Sequence, residues 1–215
     1  MKVLVVFVHG LWFTGHEAFL LRRRLAASLG AEERNFPYHS MAATVSDSAA
    51  ALAAYLGALR ADTVHLVGHS MGGLVILQLF EQRPALAPGR IVLLGPPIQG
   101  SCAAEGLARL PLGRRLLGRG IDEAVLSPAA RRAIEPRRWA GSRDVGIIAG
   151  RASVGLGRLV ARLPGPNDGI VTVEETRLPG ATDHIVLDAH HAGLLFSRAA
   201  ARQAAAFLAT GSFER

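Results

Sequence analysis

The run Gly68-His69-Ser70-Met71-Gly72-Gly73 contains the residue types that are needed to expose a reactive serine. A β-branched apolar run, Thr63–Val67, precedes it, and a second apolar run, Leu74–Phe80, follows it. A G-x-S-x-G pattern between a strand and a helix predicts a tight turn with the serine in a strained backbone conformation at the helix N-terminus. The flanking glycines let the strand and the helix pack across the turn. The alternative is a glycine-rich turn in which Ser70 is incidental.

A serine hydroxyl is a weak nucleophile, so Ser70 would need a base to take its proton and an acid to orient that base. Among the acids after Ser70, Asp168 lies in a Pro-Asn-Asp-Gly turn that follows the predicted strand Val145–Gly150. Asp144 precedes this strand and would therefore lie at the opposite end of the sheet. We predict that Asp168 is the acid, although Asn-Asp-Gly is also ordinary turn chemistry.

Three histidines after Asp168 could supply the base. His184 begins the predicted strand Asp183–Leu187, whereas His190 and His191 follow it and precede the last predicted helix. The expected position is after the strand, which excludes His184. Helical periodicity extended backwards favours His190, but it does not apply if the two residues lie in a loop. These arguments alone leave His190 and His191 both open.

The loop after the first strand should supply part of an oxyanion site. Its position predicts one backbone donor at the N–H of Leu11, with the N–H of Met71 as the second donor. Trp12 and His9 in the same loop are candidate substrate-binding residues. Because His9 precedes the serine, a structural role is the alternative for it.

Strands alternate with helices along the chain. This order predicts a three-layer α/β/α sandwich with a mainly parallel sheet of about six strands. The candidate residues follow strands, so they should gather at the carboxyl edge of the sheet. The predicted strands are Val3–Val8, Asn35–Tyr38, Thr63–Val67, Arg90–Leu94, Val145–Gly150 and Asp183–Leu187, and the predicted helices are His16–Gly30, Ser46–Arg60, a segment from Leu74 to Arg83, and Ala192–Leu208.

Residues 98–143, called the excursion below, interrupt this alternation with leucines, arginines, glycines and prolines. We predict one domain over residues 1–215, in which the excursion forms short, lid-like helices over the active edge. Its arginines predict contact with anionic lipid surfaces. A solvated basic face of ordinary helices is the alternative.

The composition limits the function classes. The chain has 215 residues, 50% of them hydrophobic, a formal net charge of +7 and a single lysine, Lys2. Its arginines scatter through apolar segments without interleaved aromatic residues, so nucleic-acid binding is not expected. No apolar run approaches the roughly 20 residues that span a bilayer. The apolar N-terminus is predicted to be a strand and not a signal peptide, and Cys102 alone cannot form an internal disulfide, so a cytoplasmic location is expected.

Neither a metal nor a cofactor is expected. The eight histidines form no Cys/His cluster. No G-x-G-x-x-G pattern follows the first strand, which argues against a nucleotide-binding Rossmann domain.

Four segments together resemble the α/β-hydrolase superfamily, and within it small bacterial lipases and esterases with little or no cap. They are Val-His-Gly-Leu at 8–11, Gly-His-Ser-Met-Gly-Gly at 68–73, Asp-Gly-Ile-Val at 168–171 and His-Ala-Gly-Leu-Leu-Phe-Ser at 191–197. They occur in the family order over nearly the whole chain, and the excursion is the weakest match. The last segment is similar to the small-lipase pattern that begins with the catalytic histidine, which selects His191 over His190.

The resemblance implies a serine hydrolase of carboxylic esters with Ser70, Asp168 and His191 as its triad. The substrate would be a small-molecule or lipid ester, and no cofactor is implied. A thioesterase, an acyltransferase or an amidase could use the same three residues. A non-catalytic ligand-binding member of the fold is a further alternative.

Overall fold

Six parallel strands form one sheet in the computed structural model, which describes residues 1–81, 85–126 and 143–215. Their order across the sheet is β2-β1-β3-β4-β5-β6. The strands are β1 (Val3–Val8), β2 (Glu32–Phe36), β3 (Thr63–His69), β4 (Ile91–Leu94), β5 (Val145–Gly150) and β6 (Asp183–Leu187). The parallel order places the carboxyl ends of all six strands along one edge.

Helices follow most of the strands and cover the sheet. They are α1 (Phe19–Leu29), α2 (Val45–Ala58), α3 (Met71–Glu81), α4 (Cys102–Ala108), α5 (Gly113–Ile121), α6 (Gly157–Val160), α7 (Gly193–Phe196) and α8 (Arg198–Thr210). Short 3₁₀ turns span His16–Ala18 and Glu174–Thr176, and a π-helical turn, Asp122–Leu126, follows α5. No helix in these described ranges is long and apolar enough to cross a membrane.

Two hydrophobic clusters lie on opposite faces of the sheet. Alternate residues of β1 divide between them, because successive strand side chains point to opposite faces. Val6 packs in the cluster under α2 and α3, whereas Val5 and Phe7 pack in the cluster under α1 and α8. Burial on both faces explains the continuous apolar sequence of the central strands. The predicted three-layer α/β/α fold with six parallel strands is therefore confirmed.

The second strand is displaced from its prediction. It runs over Glu32–Phe36 and not over Asn35–Tyr38. It lies at the edge of the sheet and pairs only with β1, so its polar residues can face solvent. Glu33 there forms an ion pair with Arg22 at 2.6 Å. An edge strand with this composition lacks the apolar run by which the other strands were recognised.

Two helix starts also differ from their predictions. Thr44 and not Ser46 caps α2, because the Thr44 side chain accepts from the Asp47 N–H at 3.0 Å and the Asp47 carboxylate accepts from the Thr44 N–H at 3.4 Å. The last predicted helix is two helices. Ser197 ends α7 in an extended conformation and caps α8 by accepting from the Ala200 N–H at 3.2 Å.

The first part of the excursion lies over the carboxyl edge as α4 and α5, and its residues 127–142 lie outside the described residues. The predicted end of the helix after Ser70, near Arg83, is also outside them. Gly118 interrupts α5 with a positive φ of 70°. A Cβ at this position would lie 2.5 Å from the Met41 carbonyl oxygen, which accepts from the Arg119 N–H at 3.1 Å. This contact fixes α5 against the loop before α2.

Gly72 should tolerate no side chain. A Cβ there would lie 2.1 Å from the Val8 carbonyl oxygen, so α3 and β1 would have to separate. We expect Gly72→Ala to lower the free energy of unfolding by about 1–3 kcal/mol, as overpacking does in a dense core. Thermal melting measures this change.

Gly57→Ala is the matched control. Gly57 is exposed in α2 and a Cβ there meets no atom within 4 Å. We expect it to raise the free energy of unfolding by about 0.5–1 kcal/mol, because alanine loses less backbone entropy than glycine in a helix. A Gly72→Ala variant as stable as the native chain would show that α3 does not depend on this contact.

Candidate active site

Ser70 connects β3 to α3 in a left-handed backbone conformation, with φ of 53°. Non-glycine residues seldom adopt this region, so the strain predicted for the serine is present. Gly68 makes the turn feasible, because a Cβ there would lie 2.8 Å from the Gly73 nitrogen. The half-buried Ser70 thus projects from a tight elbow at the carboxyl edge of the sheet.

His191 forms a hydrogen bond with Asp168 at this edge. The distance from His191 Nδ1 to Asp168 Oδ2 is 2.7 Å, and the Asp168 side chain is buried. Because a carboxylate only accepts hydrogen bonds, the proton lies on Nδ1, and Nε2 keeps a free lone pair. The other oxygen, Asp168 Oδ1, accepts from the backbone N–H groups of Ile170 at 3.0 Å and Val171 at 2.7 Å. The buried carboxylate is therefore satisfied by three donors.

Backbone geometry also fixes this pair. The His191 N–H donates to the Asp168 carbonyl oxygen at 2.9 Å. Gly95, with φ of 56°, follows β4 beneath the two side chains. A Cβ at Gly95 would lie 3.1 Å from His191 Nδ1 and 3.2 Å from Asp168 Oδ2. The sequence signal for this role is weak, since Gly95 is recognisable only as a glycine directly after the predicted strand Arg90–Leu94.

The other candidate acids and bases interact elsewhere. Asp144 lies before β5 and forms an ion pair with Arg90 at 3.0 Å. Asp188 is exposed and binds Arg151 at 2.7 Å. The ring of His184 bonds the Thr176 hydroxyl at 2.9 Å, and burial lowers its pKa.

The two predicted oxyanion donors belong to segments that adjoin Ser70. Met71 is the first residue of α3, so its N–H has no acceptor within the helix. Leu11 follows β1 in a loop that lies directly on the serine, since a Cβ on Gly10 would be 3.0 Å from the Ser70 Cβ. The loop of Leu11 and the first turn of α3 therefore both adjoin Ser70, as the prediction of two backbone donors requires.

His9 and Trp12 have different surroundings. His9 is 1% exposed, stacks on Tyr38 with ring centroids 4.2 Å apart, and donates from Nδ1 to the Gly10 carbonyl oxygen. Burial lowers the pKa of His9, and this residue does not line the cavity beside Ser70. Trp12 is 58% exposed and lines that cavity. Its Nε1–H donates to the Leu116 carbonyl oxygen at 2.8 Å, which ties the loop after β1 to α5.

The Ser70 cavity has a volume of about 610 Å³. His190 and His191 also line it, whereas Asp168 lies behind His191. The remaining lining is almost entirely apolar and comes from the loop after β1, Pro97, the excursion, the segment around α6 and the loop of Asp168. It includes Leu11, Phe13, Pro97, Ala103, Ala104, Leu107, Leu117, Ile121, Val160, Ile170 and Val171. An apolar chain can therefore lie beside the serine.

Glu175 is a site residue that sequence reasoning missed. Its carboxylate is buried and accepts from the Cys102 N–H at 2.6 Å and from the Thr172 N–H at 2.7 Å. It thereby joins the start of α4 to the loop that carries Asp168. The sequence separation of 73 residues between Glu175 and Cys102 left no local signal for this contact. The described part of the chain contains no group of three or more His, Cys, Asp or Glu residues that could hold a metal ion.

The model of the alpha/beta hydrolase family matches residues 5–212. No curated protein matches the chain in sequence. Among solved structures, the mature lipase BlEst2 of Bacillus licheniformis is 22% identical with a TM-score of 0.70, over 90% of this chain and 86% of that chain.

Two further structures share the fold. The carboxylesterase CesB of Bacillus subtilis is 16% identical with a TM-score of 0.57, over 99% of this chain and 85% of that one. The metagenomic carboxyl esterase MGS0156 is 20% identical with a TM-score of 0.64, over 88% of this chain and 64% of that one. At these identities the likeness shows a common fold.

Proposed function

Because the chain belongs to the alpha/beta hydrolase family, we propose that it is a serine hydrolase that cleaves carboxylic esters. The observation that carries this proposal is the buried hydrogen bond between His191 Nδ1 and Asp168 Oδ2, at 2.7 Å, next to the serine of the elbow. This bond leaves His191 Nε2 unprotonated toward the cavity that Ser70 lines. The names of the lipase and esterase structures with the same fold agree with this reaction class.

The proposed reaction proceeds through an acyl-enzyme. His191 Nε2 takes the proton of the Ser70 hydroxyl while the oxygen attacks the ester carbonyl carbon. Asp168 stabilises the resulting imidazolium, and the N–H groups of Leu11 and Met71 bind the oxyanion. The imidazolium then protonates the leaving alcohol. Water attacks the acyl group with His191 again acting as the base, which releases the carboxylic acid and restores Ser70.

The apolar lining of the cavity supports an ester with a hydrocarbon portion. A cavity of about 610 Å³ is within the usual range for small-molecule sites, which are roughly 300–1,000 Å³. Trp12 belongs to the proposed substrate site, because it lines the cavity. His9 does not, because its buried ring packs on Tyr38.

Exposed apolar side chains surround the mouth of the cavity. These residues, called the cavity rim, are Trp12, Leu116, Val154, Leu156 and Leu159. Leu156 is 71% exposed and Leu159 is 81% exposed, which is unusual for isolated leucines and suits insertion into a lipid surface. The exposed Arg115 and Arg162 adjoin this rim in sequence and would favour anionic lipid headgroups.

Ser70→Ala tests the nucleophile. We expect a fluorophosphonate probe to label the native protein once, at Ser70, and the variant not at all. Turnover of p-nitrophenyl esters should fall to a residual rate, roughly 10³–10⁴-fold above that of water, because binding and the oxyanion donors remain. Thioester and amide substrates in the same assay distinguish the related reactions.

Ser101→Ala provides the matched control for labelling. Ser101 also lines the cavity, but its hydroxyl oxygen accepts from the Ala104 N–H at 3.1 Å as the cap of α4. Labelling should persist in this variant. A Ser70→Ala protein that is still labelled would refute the assignment of the nucleophile.

Asp168→Asn tests the acid. Its Oδ1 accepts from two backbone N–H groups, so an asparagine would turn its amide nitrogen toward His191 Nδ1. His191 would then hold its proton on Nε2 and could not act as a base. We expect kcat for a p-nitrophenyl ester to fall by about 10⁴-fold, the size of the corresponding effect in a serine protease, while circular dichroism stays native.

Asp188→Asn is the control for this change, because the exposed Asp188 pairs with the exposed Arg151 and with no other described side chain. Its kcat should stay within about threefold of the native value, since a surface ion pair contributes little. An equal or larger loss in Asp188→Asn would mean that the acid is misassigned.

Vesicle binding tests the proposed contact with anionic lipid. Binding should rise with the fraction of phosphatidylglycerol in phosphatidylcholine vesicles and should weaken as salt is added. Arg115→Gln and Arg162→Gln should each weaken binding roughly fivefold, since one basic residue near such a surface contributes about 1 kcal/mol.

Arg202→Gln is the matched control, because Arg202 lies on α8 and pairs with Glu214 at 3.1 Å. It should bind vesicles like the native protein. Binding that is independent of the anionic fraction at low salt would refute the lipid contact and leave the excursion as a solvated basic surface.

A further inference from the structure

His69 links the strand of the serine to the loop of the proposed base. Ser70 follows β3, whereas His191 follows β6, and β4 and β5 lie between these two strands. The loop after β6 must therefore bring His191 back across two strands to reach the serine. The position of its imidazole depends on what holds this loop in place.

Three hydrogen bonds fix His191. Its N–H donates to the Asp168 carbonyl oxygen at 2.9 Å, and its Nδ1–H donates to Asp168 Oδ2 at 2.7 Å. Both of these bonds lead to the loop that follows β5. The third bond joins the His191 carbonyl oxygen to His69 Nε2 at 3.2 Å. Because His69 directly precedes Ser70, this bond connects the base to the nucleophile's own strand.

The chemistry of the acceptor determines the tautomer of His69. A carbonyl oxygen cannot donate, so Nε2 carries the proton and Nδ1 carries the lone pair. His69 Nδ1 is buried and has no hydrogen-bond partner among the described residues. An apolar ring of similar size would fill this place without an unsatisfied nitrogen. Because an unpaired buried nitrogen destabilises the fold, the presence of a histidine here indicates that its Nε2–H has a role.

The surroundings of His69 suit a neutral donor. Its side chain has 0% exposure, and its ring centroid lies 4.8 Å from that of His191 and 5.8 Å from that of Phe13. Burial holds the pKa of His69 well below its ordinary value, so the ring stays uncharged. A charged His69 would oppose the imidazolium that His191 must become during ester cleavage.

We propose that His69 is a positioning residue that holds the main chain of His191 so that the base stays within reach of Ser70. This inference rests on the proposed ester hydrolysis. His69 itself touches neither the substrate nor the cavity, and it acts only through its bond to the His191 carbonyl group. The sequence separation of 122 residues between the two partners makes this bond a property of the folded chain.

Two substitutions separate the hydrogen bond from the packing. His69→Phe keeps an aromatic ring and removes the donor, whereas His69→Gln keeps an N–H donor. We expect His69→Phe to lower kcat for a p-nitrophenyl ester by about 10- to 100-fold with KM within about threefold, because a displaced base loses its alignment. Labelling by a fluorophosphonate should slow by a similar factor. His69→Gln should recover most of this loss.

His65→Phe is the matched control. His65 is another buried histidine of β3, and its Nδ1 accepts from the Arg90 N–H at 3.0 Å, away from His191. This variant should lose stability and keep its kcat. The proposal is overturned if His69→Phe retains native kcat, if His65→Phe loses as much kcat, or if His69→Gln is no better than His69→Phe.

Nitrogen-15 NMR of histidine-labelled native protein tests the hydrogen bond without any substitution. If His69→Phe does not fold, this measurement still shows whether His69 Nε2 carries the proton that the bond requires. His69 should show a protonated Nε2 and an unprotonated Nδ1, and it should not titrate between pH 5 and 8. A proton on Nδ1 would overturn the proposal, because Nε2 could not then donate to His191. A native protein without ester turnover would refute the proposed function, while the tautomer would still decide whether the bond exists.

Discussion

The close approach of α3 to the ends of β1 and β3 is the constraint on which the rest of the structure depends. A Cβ at Gly72 would collide with the Val8 carbonyl oxygen, and a Cβ at Gly68 would collide with the Gly73 nitrogen. Only glycines allow the helix to begin so near the strands, and Ser70 at the turn takes a left-handed conformation with φ of 53°. Backbone strain at this one residue projects its side chain above the sheet and places the N-terminus of α3 next to it.

Backbone contacts in the other loops at the carboxyl edge of the sheet hold the polar groups around Ser70. Asp168 accepts from the Ile170 and Val171 N–H groups and from His191 in an environment closed to water. Gly95 leaves the space that this pair occupies. A buried carboxylate whose oxygens are all paired keeps its geometry in a medium where unpaired groups would be costly. The neutral His69 extends the network to the strand of the serine.

Two hydrogen bonds attach the first described part of the excursion, α4 and α5, to the site. The Glu175 carboxylate bonds the first turn of α4 to the loop of Asp168, and the Trp12 side chain bonds α5 to the loop after β1. The wall of the cavity and the reactive groups therefore share their supports. A displacement of α5 would pull on Trp12, which directly follows Leu11.

The sequence by itself determined the elements that depend on patterns of neighbouring residues along the chain. Burial on both faces made the central strands continuous apolar runs, and the glycine spacing around Ser70 specified the elbow. The order of strands and helices predicted the parallel sheet and the edge at which Ser70, Asp168 and His191 meet. The predicted position of β2 and the prediction of a single last helix were wrong. Exposure at a sheet edge and the choice of a capping residue depend on neighbours that the local pattern does not contain.

Only the tertiary structure decided the contacts between distant segments. The bonds from His69 to His191, from Trp12 to Leu116 and from Glu175 to Cys102 join residues 122, 104 and 73 positions apart. No local periodicity specifies such pairs, because each partner also has a sufficient local explanation as a packed ring or a turn residue. Their geometry follows from the strand order, which carries these loops to one edge and buries their polar atoms there.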